Sequence, residues 1–444
     1  MRNADKKIIV LVLLLLVCCA AWFLLMRKPA GSGETLPQDS LPTLSEPENV
    51  TEIAVSGRDM ESYVITRKDG AFSLDESTSI DISEPYLQVI WEKLLPVPAA
   101  KIDGEVSDEM ELSDPLLLIQ YRAGGETVSE VRVGRYASVR GGYYASSDGK
   151  TAWIVDEELF GQLKDARQEF YIRNLLDFSA ESDFDRLKSI RLSGKKRGTD
   201  EICVEADETW FRLTEPFSYI CDYRTLKINF LDPAMHLKGT RYLSEEKKDE
   251  YGFDDPEYVL TYNYDDKEIR ILIGAHEDEG SYVCREGDPA VFWIRDEDLA
   301  FLSLPFTDLI GDSVYSRYIN FADRFSITYQ GKTDEFDLEN ASDYTDKWTM
   351  THDGETYPYE KFIAFYTALM GAPRSREVQG AEPETDPDAA ILVEVLLKSG
   401  KTDTLELKKI SEREYDAVVD GECHFTTTAS GVEAIISYMN KWRE

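Results

Sequence analysis

The side chains that most often carry enzymatic chemistry are few in this chain of 444 residues, and they are widely spaced. Its four histidines are His236, His276, His352 and His424. None is spaced as an HxxxH metal motif, and neither GxSxG nor a Walker A sequence occurs. Cys423 precedes His424 directly, but neighbours in a strand point to opposite faces and do not form a nucleophile–base pair. We therefore predict no catalytic residue, no cofactor-binding residue and no metal ligand.

Acidic residues are densest around GAHEDEGS at 274–281, with Asp254, Asp255, Asp265 and Asp266 upstream. Oxygen-rich loops hold Ca²⁺ in some proteins, but EF-hand spacing is absent here, so a solvated acidic loop is expected. A glycosidase needs only two carboxylates about 5–9 Å apart. An extracytoplasmic hydrolase acting on glycan or peptide is therefore the alternative function, although no particular pair of carboxylates is indicated.

Aromatic residues offer one candidate contact surface. The stretch RGGYY at 140–144 brings Tyr143 and Tyr144 close to a glycine turn. Exposed tyrosines are suited to contacts with glycans or peptides. We predict a possible ligand contact at these two tyrosines, the alternative being an ordinary hairpin edge.

The charge of the chain restricts its partners. There are 85 acidic and 49 basic residues, which gives a formal net charge of −36. Such a surface repels phosphate backbones and anionic lipid headgroups, so nucleic acid is excluded as a partner. Cations, basic protein patches and neutral ligands are favoured, and the charge also serves solubility.

The N-terminus predicts a signal anchor. An uncharged apolar run covers residues 8–26. A helix of this length spans roughly 28 Å, close to the bilayer core of about 30 Å. The apolar run continues past the small pair Ala20-Ala21, which favours an uncleaved anchor over a signal peptide. A lipobox ending at Cys18 or Cys19 is the alternative.

The basic flanks of this run predict its orientation. Three basic residues precede it and two follow it, which places the N-terminus inside the cytoplasm. The bulk of the chain is then extracytoplasmic. We assign residues 1–28 to the anchor and residues 29–49, rich in Pro, Gly, Ser and Glu, to a tether.

Cysteine usage does not indicate a disulfide framework. Of six cysteines, two lie in the apolar run and four are scattered without a CxxC pair. Cys203 and Cys221 are close enough in sequence to bridge within one unit. The other reading is that they are ordinary buried thiols.

The remainder of the chain repeats one pattern three times. Ile53, Ile190 and Ile327 are 137 residues apart, because 190 − 53 and 327 − 190 are both 137, and a glycine follows each by four residues. Each repeat then has an aromatic–x–aliphatic strand, an amphipathic helical segment, an Asp-Pro and a hairpin. The aromatic–x–aliphatic landmarks are Phe72/Leu74, Phe211/Leu213 and Trp348/Met350, and the Asp-Pro pairs are Asp114-Pro115, Asp255-Pro256 and Asp386-Pro387. Landmarks that recur in the same order at a similar spacing indicate a structural repeat.

The periods within each repeat predict an α+β fold. Alternating apolar residues indicate strands, and spacings of three and four residues indicate a helix with one buried face. We expect a transmembrane helix followed by three units of antiparallel sheet with packed helices, at 50–180, 186–321 and a divergent 322–444. The Asp-Pro pairs are predicted to form turns at the start of each hairpin.

Several phrases resemble those of a bacterial family. They are the TEIAVSG-like openings, YGFDDP before a hairpin ending ILIG, and the later YYASSDGKTAWIVDEEL and YVCREGDPAVFWIRDEDL. The chain resembles the domain-of-unknown-function 4340 family over roughly residues 50–320. The third repeat has ETDPDAA and LELKK in place of YGFDDPE and ILIG, and matches more weakly.

The resemblance implies an accessory role and brings no catalytic residues. Members of the family are membrane-anchored and are associated with ABC-type transport or gliding-motility systems. The expected protein is therefore a non-enzymatic binding or scaffold accessory in the cytoplasmic membrane. Its expected partners are the membrane, through the N-terminal helix, and ABC transporter subunits or other envelope proteins.

Overall fold

The computed structural model describes residues 39–443, except for 42–43, 45, 75–79, 177, 179–180, 208–209, 340–348 and 379–390. The predicted membrane helix at 8–26, Trp348 and the Asp386-Pro387 pair lie outside the described residues. No helix in the described part of the chain is long and apolar enough to cross a membrane.

Three nine-stranded antiparallel sheets dominate the described part of the chain, of which 46% is strand and 25% is helix. They confirm the predicted series of three antiparallel sheet units. The chain separates into two compact units, Met1–Ile172 and Arg173–Glu444. The first unit contains the first sheet, and the second unit contains both of the others.

The first sheet has the strand order β1-β5-β9-β8-β7-β6-β2-β3-β4. Its strands are β1 (Asp39–Ser40), β2 (Glu52–Gly57), β3 (Tyr63–Lys68), β4 (Ala71–Leu74), β5 (Pro98–Glu105), β6 (Leu117–Ala123), β7 (Glu126–Ala137), β8 (Gly142–Ser146) and β9 (Thr151–Asp156).

The second sheet has the order β13-β12-β11-β10-β15-β16-β17-β18-β14. Its strands are β10 (Leu187–Ser193), β11 (Ile202–Ala206), β12 (Phe211–Glu215), β13 (Tyr219–Ile220), β14 (Arg241–Ser244), β15 (Tyr258–Tyr264), β16 (Lys267–Glu277), β17 (Gly280–Arg285) and β18 (Val291–Arg295).

The third sheet has the order β22-β21-β20-β19-β24-β25-β26-β27-β23. Its strands are β19 (Ala322–Tyr329), β20 (Lys332–Glu339), β21 (Thr349–His352), β22 (Glu355–Thr356), β23 (Arg374–Glu377), β24 (Ile391–Leu397), β25 (Thr402–Lys409), β26 (Glu414–Val419) and β27 (Glu422–Thr428).

The three strand orders are the same apart from one edge strand. Reading from β4, the first sheet matches the other two for eight strands, then adds β1 beyond β5, whereas the others add β13 and β22 at the opposite edge. The landmark residues Ile53, Ile190 and Ile327 lie on the corresponding strands β2, β10 and β19, and each is fully buried. The prediction of equivalent, core-facing positions is confirmed.

The predicted hairpins form where turn residues have positive φ. Strands β6–β7, β15–β16 and β24–β25 pair across the turns AGGE, YDDK and KSGK. In the second, Asp265 and Asp266 have φ of 47° and 62°, the left-handed region that a two-residue turn of this hand requires. Strand β24, ILVEVLL, alternates strictly between buried and half-buried residues, as period-two patterning predicts.

Helices pack against the sheets. They are α1 (Glu84–Leu94), α2 (Glu157–Phe170), α3 (Tyr223–Leu226), a π-helical turn (Lys227–Leu231), α4 (Asp232–Met235), α5 (Tyr359–Met370) and α6 (Ala429–Arg443). Short 3₁₀ helices occur at Pro47–Asn49, Asp108–Met110, Glu181–Arg186, Asp249–Tyr251, Asp296–Ser303, Phe306–Asp308 and Ile319–Phe321.

The predicted apolar faces of α1 and α5 are buried. Leu87, Ile90, Trp91 and Leu94 are at most 3% exposed and join the core of the first unit, and α5 buries Phe362, Phe365, Tyr366 and Leu369. The helix predicted for the first repeat is too long at its C-terminal end. PAAKI is part of strand β5, because the prolines at 96 and 98 stop the helix from continuing.

A buried tyrosine links the sheet to the helix in two repeats. Tyr121 lies opposite Ile53, and its hydroxyl donates to the Leu94 carbonyl at 2.8 Å. Tyr262 lies opposite Ile190, and its hydroxyl donates to the Ala234 carbonyl at 2.7 Å. Both hydrogen bonds satisfy carbonyl groups at helix C-termini that have no partner within the helix.

Part of the predicted tether belongs to the first unit. Asp39–Ser40 pair with Ala99 and Pro98 of β5, and Leu41 is fully buried in the core. The assignment of all of 29–49 to a solvated tether is therefore wrong at its C-terminal end. In this segment rich in Pro, Ser and Glu, the burial of Leu41, and the packing of Leu44 against the same core, depend on contacts with the first sheet.

Candidate functional site

Tyr143 and Tyr144 lie on β8, directly after the predicted turn, where Gly141 has a φ of 69°. The ring of Tyr143 stacks on Phe160 of α2, with centroids 3.8 Å apart, and contacts Tyr136 edge-on. Both tyrosines are half-buried. One face of Tyr143 is thus used for packing, and the ligand contact stays a prediction.

The acidic residues around 274–281 do not converge on one site. Asp265 and Asp266 occupy the turn before β16 and pair with Arg186 and Lys188. Asp278 occupies the turn after this strand of 11 residues. At 3.3 Å per residue the two turns are about 35 Å apart. Asp255, in the Asp-Pro pair, accepts a hydrogen bond from Lys195 Nζ at 2.7 Å.

Cys423 and His424 do not form a catalytic pair. The ring of His424 stacks on Phe217 at 3.7 Å, and its Nε2 lies 2.8 Å from Glu422 Oε2. Burial raises the pKa of the Cys423 thiol to about 11, which disfavours the thiolate. Cys203 and Cys221 are both buried and not bridged, which resolves the alternatives left open by the sequence.

Charged side chains that are buried in the second unit form a network between its two sheets. Arg317 comes from the segment that leads from the second sheet to the third, and Asp403 from β25. Their side chains are only 4% and 5% exposed. Arg317 Nε donates to Asp403 Oδ2 at 2.8 Å, and Arg317 Nη2 donates to Asp403 Oδ1 at 3.2 Å. This is the bidentate geometry of a guanidinium–carboxylate pair.

The second sheet contributes the rest of this network. Arg317 Nη2 also donates to Asp207 Oδ2 at 3.1 Å, at the turn between β11 and β12. Arg212, on β12, pairs with Asp420 and has its Nη2 3.7 Å from Asp403 Oδ1. We call Asp207, Arg212, Arg317, Asp403 and Asp420 the inter-sheet ion network.

Further contacts hold the network in place. The Tyr315 hydroxyl donates to Asp403 Oδ2 at 3.4 Å, and the Tyr366 hydroxyl donates to the Arg317 carbonyl. Burial alone would lower the pKa of Arg317, but the hydrogen bond and charge of Asp403, with the charge of Asp207, raise it overall. Arg317 is therefore a permanent cation in a buried position.

A cleft of about 280 Å³ opens onto this network. The second sheet and the hairpins of the third sheet line it, through these residues: Asp207, Arg212, Leu397, Ser399, Lys401, Thr402, Asp403 and Asp420. All three carboxylates of the network accept from an arginine, and no histidine or cysteine is among the lining residues. This chemistry suits fixation of the two sheets and recognition of a polar group, rather than proton transfer or nucleophilic attack.

Sequence reasoning did not find this network. Its members come from three hairpins and one linking segment, and more than 200 positions separate Asp207 from Asp420. Each is an ordinary charged residue in its local sequence. Only the meeting of the two sheets brings them together.

A second group was also missed, because no metal ligand was predicted. Ligand atoms of Asp334, His352 and Asp353 all lie within 4.8 Å of one another. The local signal was an aspartate at a core-facing position of β20. A histidine–aspartate pair beside it in a hairpin turn has no recognised motif.

Comparisons with protein-family models, with curated proteins and with solved structures each give no match. The resemblance to the domain-of-unknown-function 4340 family therefore stays a prediction that rests on the phrases in the sequence.

Proposed function

We propose that this protein is a non-enzymatic, membrane-anchored scaffold whose extracytoplasmic units bind protein partners beside an envelope ABC-type transporter. The observation that carries the proposal is the inter-sheet ion network. Buried charged groups of the second unit pair with one another across its two sheets, which fixes the two sheets relative to each other.

The partners are inferred from charge and resemblance. A net charge of −36 favours a partner with basic surface patches, and association should then weaken as salt concentration rises. The apolar run at 8–26 supplies the anchor, and the family resemblance supplies the link to ABC-type transport. The opposing candidate is the extracytoplasmic hydrolase.

Topology is tested with an introduced cysteine at an exposed position. Val139 is 96% exposed, so Val139→Cys should react with a membrane-impermeant maleimide in intact cells. The unaltered chain is the control: Cys203, Cys221 and Cys284 are buried, and burial raises the pKa of the half-buried Cys423 to about 11, which disfavours its reactive thiolate. Labelling of V139C only after lysis would reverse the orientation.

Partner binding is tested by mild cross-linking and pull-down of the full chain from native membranes. The matched control carries residues 1–49 fused to an unrelated folded domain, which removes recovery due to the anchor alone. We expect a permease or ATP-binding subunit with the full chain and not with the control. Recovery of no membrane partner, together with turnover of a wall fragment by the purified protein, would instead establish the hydrolase.

A further inference from the structure

A carboxylate lies in the core of the third sheet, at a strand position that faces the apolar interior. Strand β20 reads KTDEFDLE, and its alternation turns Asp334, Phe336 and Leu338 to the buried side. Asp334 is 0% exposed. Burial of an ionised carboxylate is costly unless a cation compensates it.

The other two repeats show what this position holds by default. Asp334 lies opposite Ile327 in the ladder. The residues opposite the equivalent isoleucines are Ile65 in the first sheet and Val204 in the second, both fully buried. The other two repeats therefore fold with an aliphatic residue at this position, so packing alone does not explain why the third sheet has a carboxylate here.

Two further ligand atoms face this carboxylate. His352 Nε2 lies 3.3 Å from Asp334 Oδ1 and 3.5 Å from Asp353 Oδ2. In tetrahedral zinc sites the metal lies about 2.0–2.2 Å from nitrogen and oxygen ligands, so neighbouring ligand atoms are about 3.3–3.5 Å apart. The two histidine–carboxylate distances therefore match two edges of such a tetrahedron.

The surroundings hold the ligands in position. Phe336 stacks on the His352 ring at 4.4 Å with an interplanar angle of 7°, and Tyr357 contacts it edge-on. Asp353 has a φ of 49° in the hairpin turn, and its Oδ1 accepts from the Glu335 amide at 3.3 Å. A preformed geometry of this kind lowers the cost of ordering a site when a ligand binds.

We propose that Asp334, His352 and Asp353 bind a divalent first-row transition-metal ion, for which Zn²⁺ is the probe. Two carboxylates and one imidazole suit zinc, whereas Ca²⁺ and Mg²⁺ require six or more oxygen ligands. The two negative charges balance the dication, and water completes the coordination.

Lys332 is a cation that occupies part of the proposed site. Its Nζ lies 3.1 Å from Asp334 Oδ1, so the ammonium competes with a metal for this oxygen. The Lys332 side chain is 55% exposed, which lets it turn towards solvent when the ion binds. The corresponding basic residues of the other repeats, Arg58 and Lys195, pair with the acids of the Asp-Pro turns instead.

The experiment measures Zn²⁺ affinity of the full chain in non-ionic detergent, by competition with a chromophoric chelator in excess Mg²⁺. We expect one site per chain, weakened at least tenfold in H352Q and in D353N. K332A should bind several-fold more tightly, because a competing cation is removed. D353N alters a side chain that is 56% exposed, so it tests the site without disturbing the core.

The matched control is H276Q. His276 Nε2 lies 2.9 Å from Asp296 Oδ2 in an exposed pair, and its loss should leave Zn²⁺ affinity unchanged. Equal affinities in H352Q, D353N and the unaltered chain would overturn the proposal in favour of diffuse cation binding. Weaker binding in K332A with native circular dichroism, or no binding in excess Mg²⁺, would overturn it as well.

Discussion

At the residue scale, two repeats need a glycine at the point where the backbone of a 3₁₀ turn passes close to a strand. In the first repeat, the carbonyl of Met110 in a 3₁₀ turn approaches Gly134 of β7 so closely that a Cβ would lie 2.0 Å from the oxygen. In the second repeat, the Tyr251 carbonyl approaches Gly274 of β16, and the distance from an added Cβ to this oxygen would be 1.9 Å. Only glycine permits this approach, and the opposing groups are backbone atoms that cannot turn away.

Gly134→Ala should lower the free energy of unfolding by about 2–3 kcal/mol, because the added methyl group forces the strand and the 3₁₀ turn apart. Urea denaturation followed by circular dichroism measures this. Gly161→Ala is the matched control in the same unit, since Gly161 lies in helix α2 with nothing near its Cβ position. It should stabilise by about 0.5–1 kcal/mol. Equal effects of the two substitutions on the free energy of unfolding would show that the close approach of the Met110 carbonyl does not require a glycine at position 134.

Burial of Cys221 makes its contribution to stability sensitive to alkaline pH. It raises the pKa of Cys221 from 9.0 to about 12. Between these values the unfolded chain loses the thiol proton while the folded chain keeps it. The contribution of Cys221 to stability is therefore complete below pH 9 and falls as the pH rises.

The difference in unfolding free energy between the unaltered chain and Cys221→Ala should narrow by about 1.4 kcal/mol from pH 8 to pH 10. Urea titrations at the two pH values measure it. Tyrosines titrate in both proteins, so their effect cancels in the difference. A gap that stays constant or widens would show that the thiolate is tolerated in the folded state.

At the element scale, the inter-sheet ion network connects hairpins of the second and third sheets. Arg317 reaches Asp207 at the β11–β12 turn and Asp403 on β25 at once. Hydrophobic contact alone would leave the relative position of two sheets loosely specified. Directional hydrogen bonds between buried charges fix it, at the cost of desolvating each charge.

Asp403→Asn should lower the free energy of unfolding by about 3–5 kcal/mol, because it leaves the buried Arg317 without its principal counter-charge. The matched control is Arg270→Met, which breaks the Arg270–Glu286 pair. These side chains are 37% and 48% exposed. That loss should be at most about 1 kcal/mol, since water solvates the remaining charge. Comparable losses in both variants would mean that burial does not govern the strength of these pairs.

At the scale of the whole molecule, the division into two compact units predicts two unfolding transitions. Gly134→Ala alters the first unit and Asp403→Asn the second. Differential scanning calorimetry should show each variant lowering the temperature of a different transition. The opposing result is one transition that both variants shift equally, which would indicate a single cooperative unit.

The sequence by itself determined the repeat, the hairpins and the buried helix faces. These follow from local rules: alternation selects the buried side of a strand, and helical spacing selects one face. The equal spacing of Ile53, Ile190 and Ile327 therefore predicted equivalent strands. Tertiary structure decided what depends on distant contacts.

Leu41 is buried only because β5 lies beside it, and Asp207 and Asp420 line one cleft only because two sheets come together. The convergence of Asp334, His352 and Asp353 depends on the register of the ladder between the consecutive strands β20 and β21. Local patterns specify which side of an element is apolar. They do not specify which charged groups converge, because that depends on the packing of whole sheets.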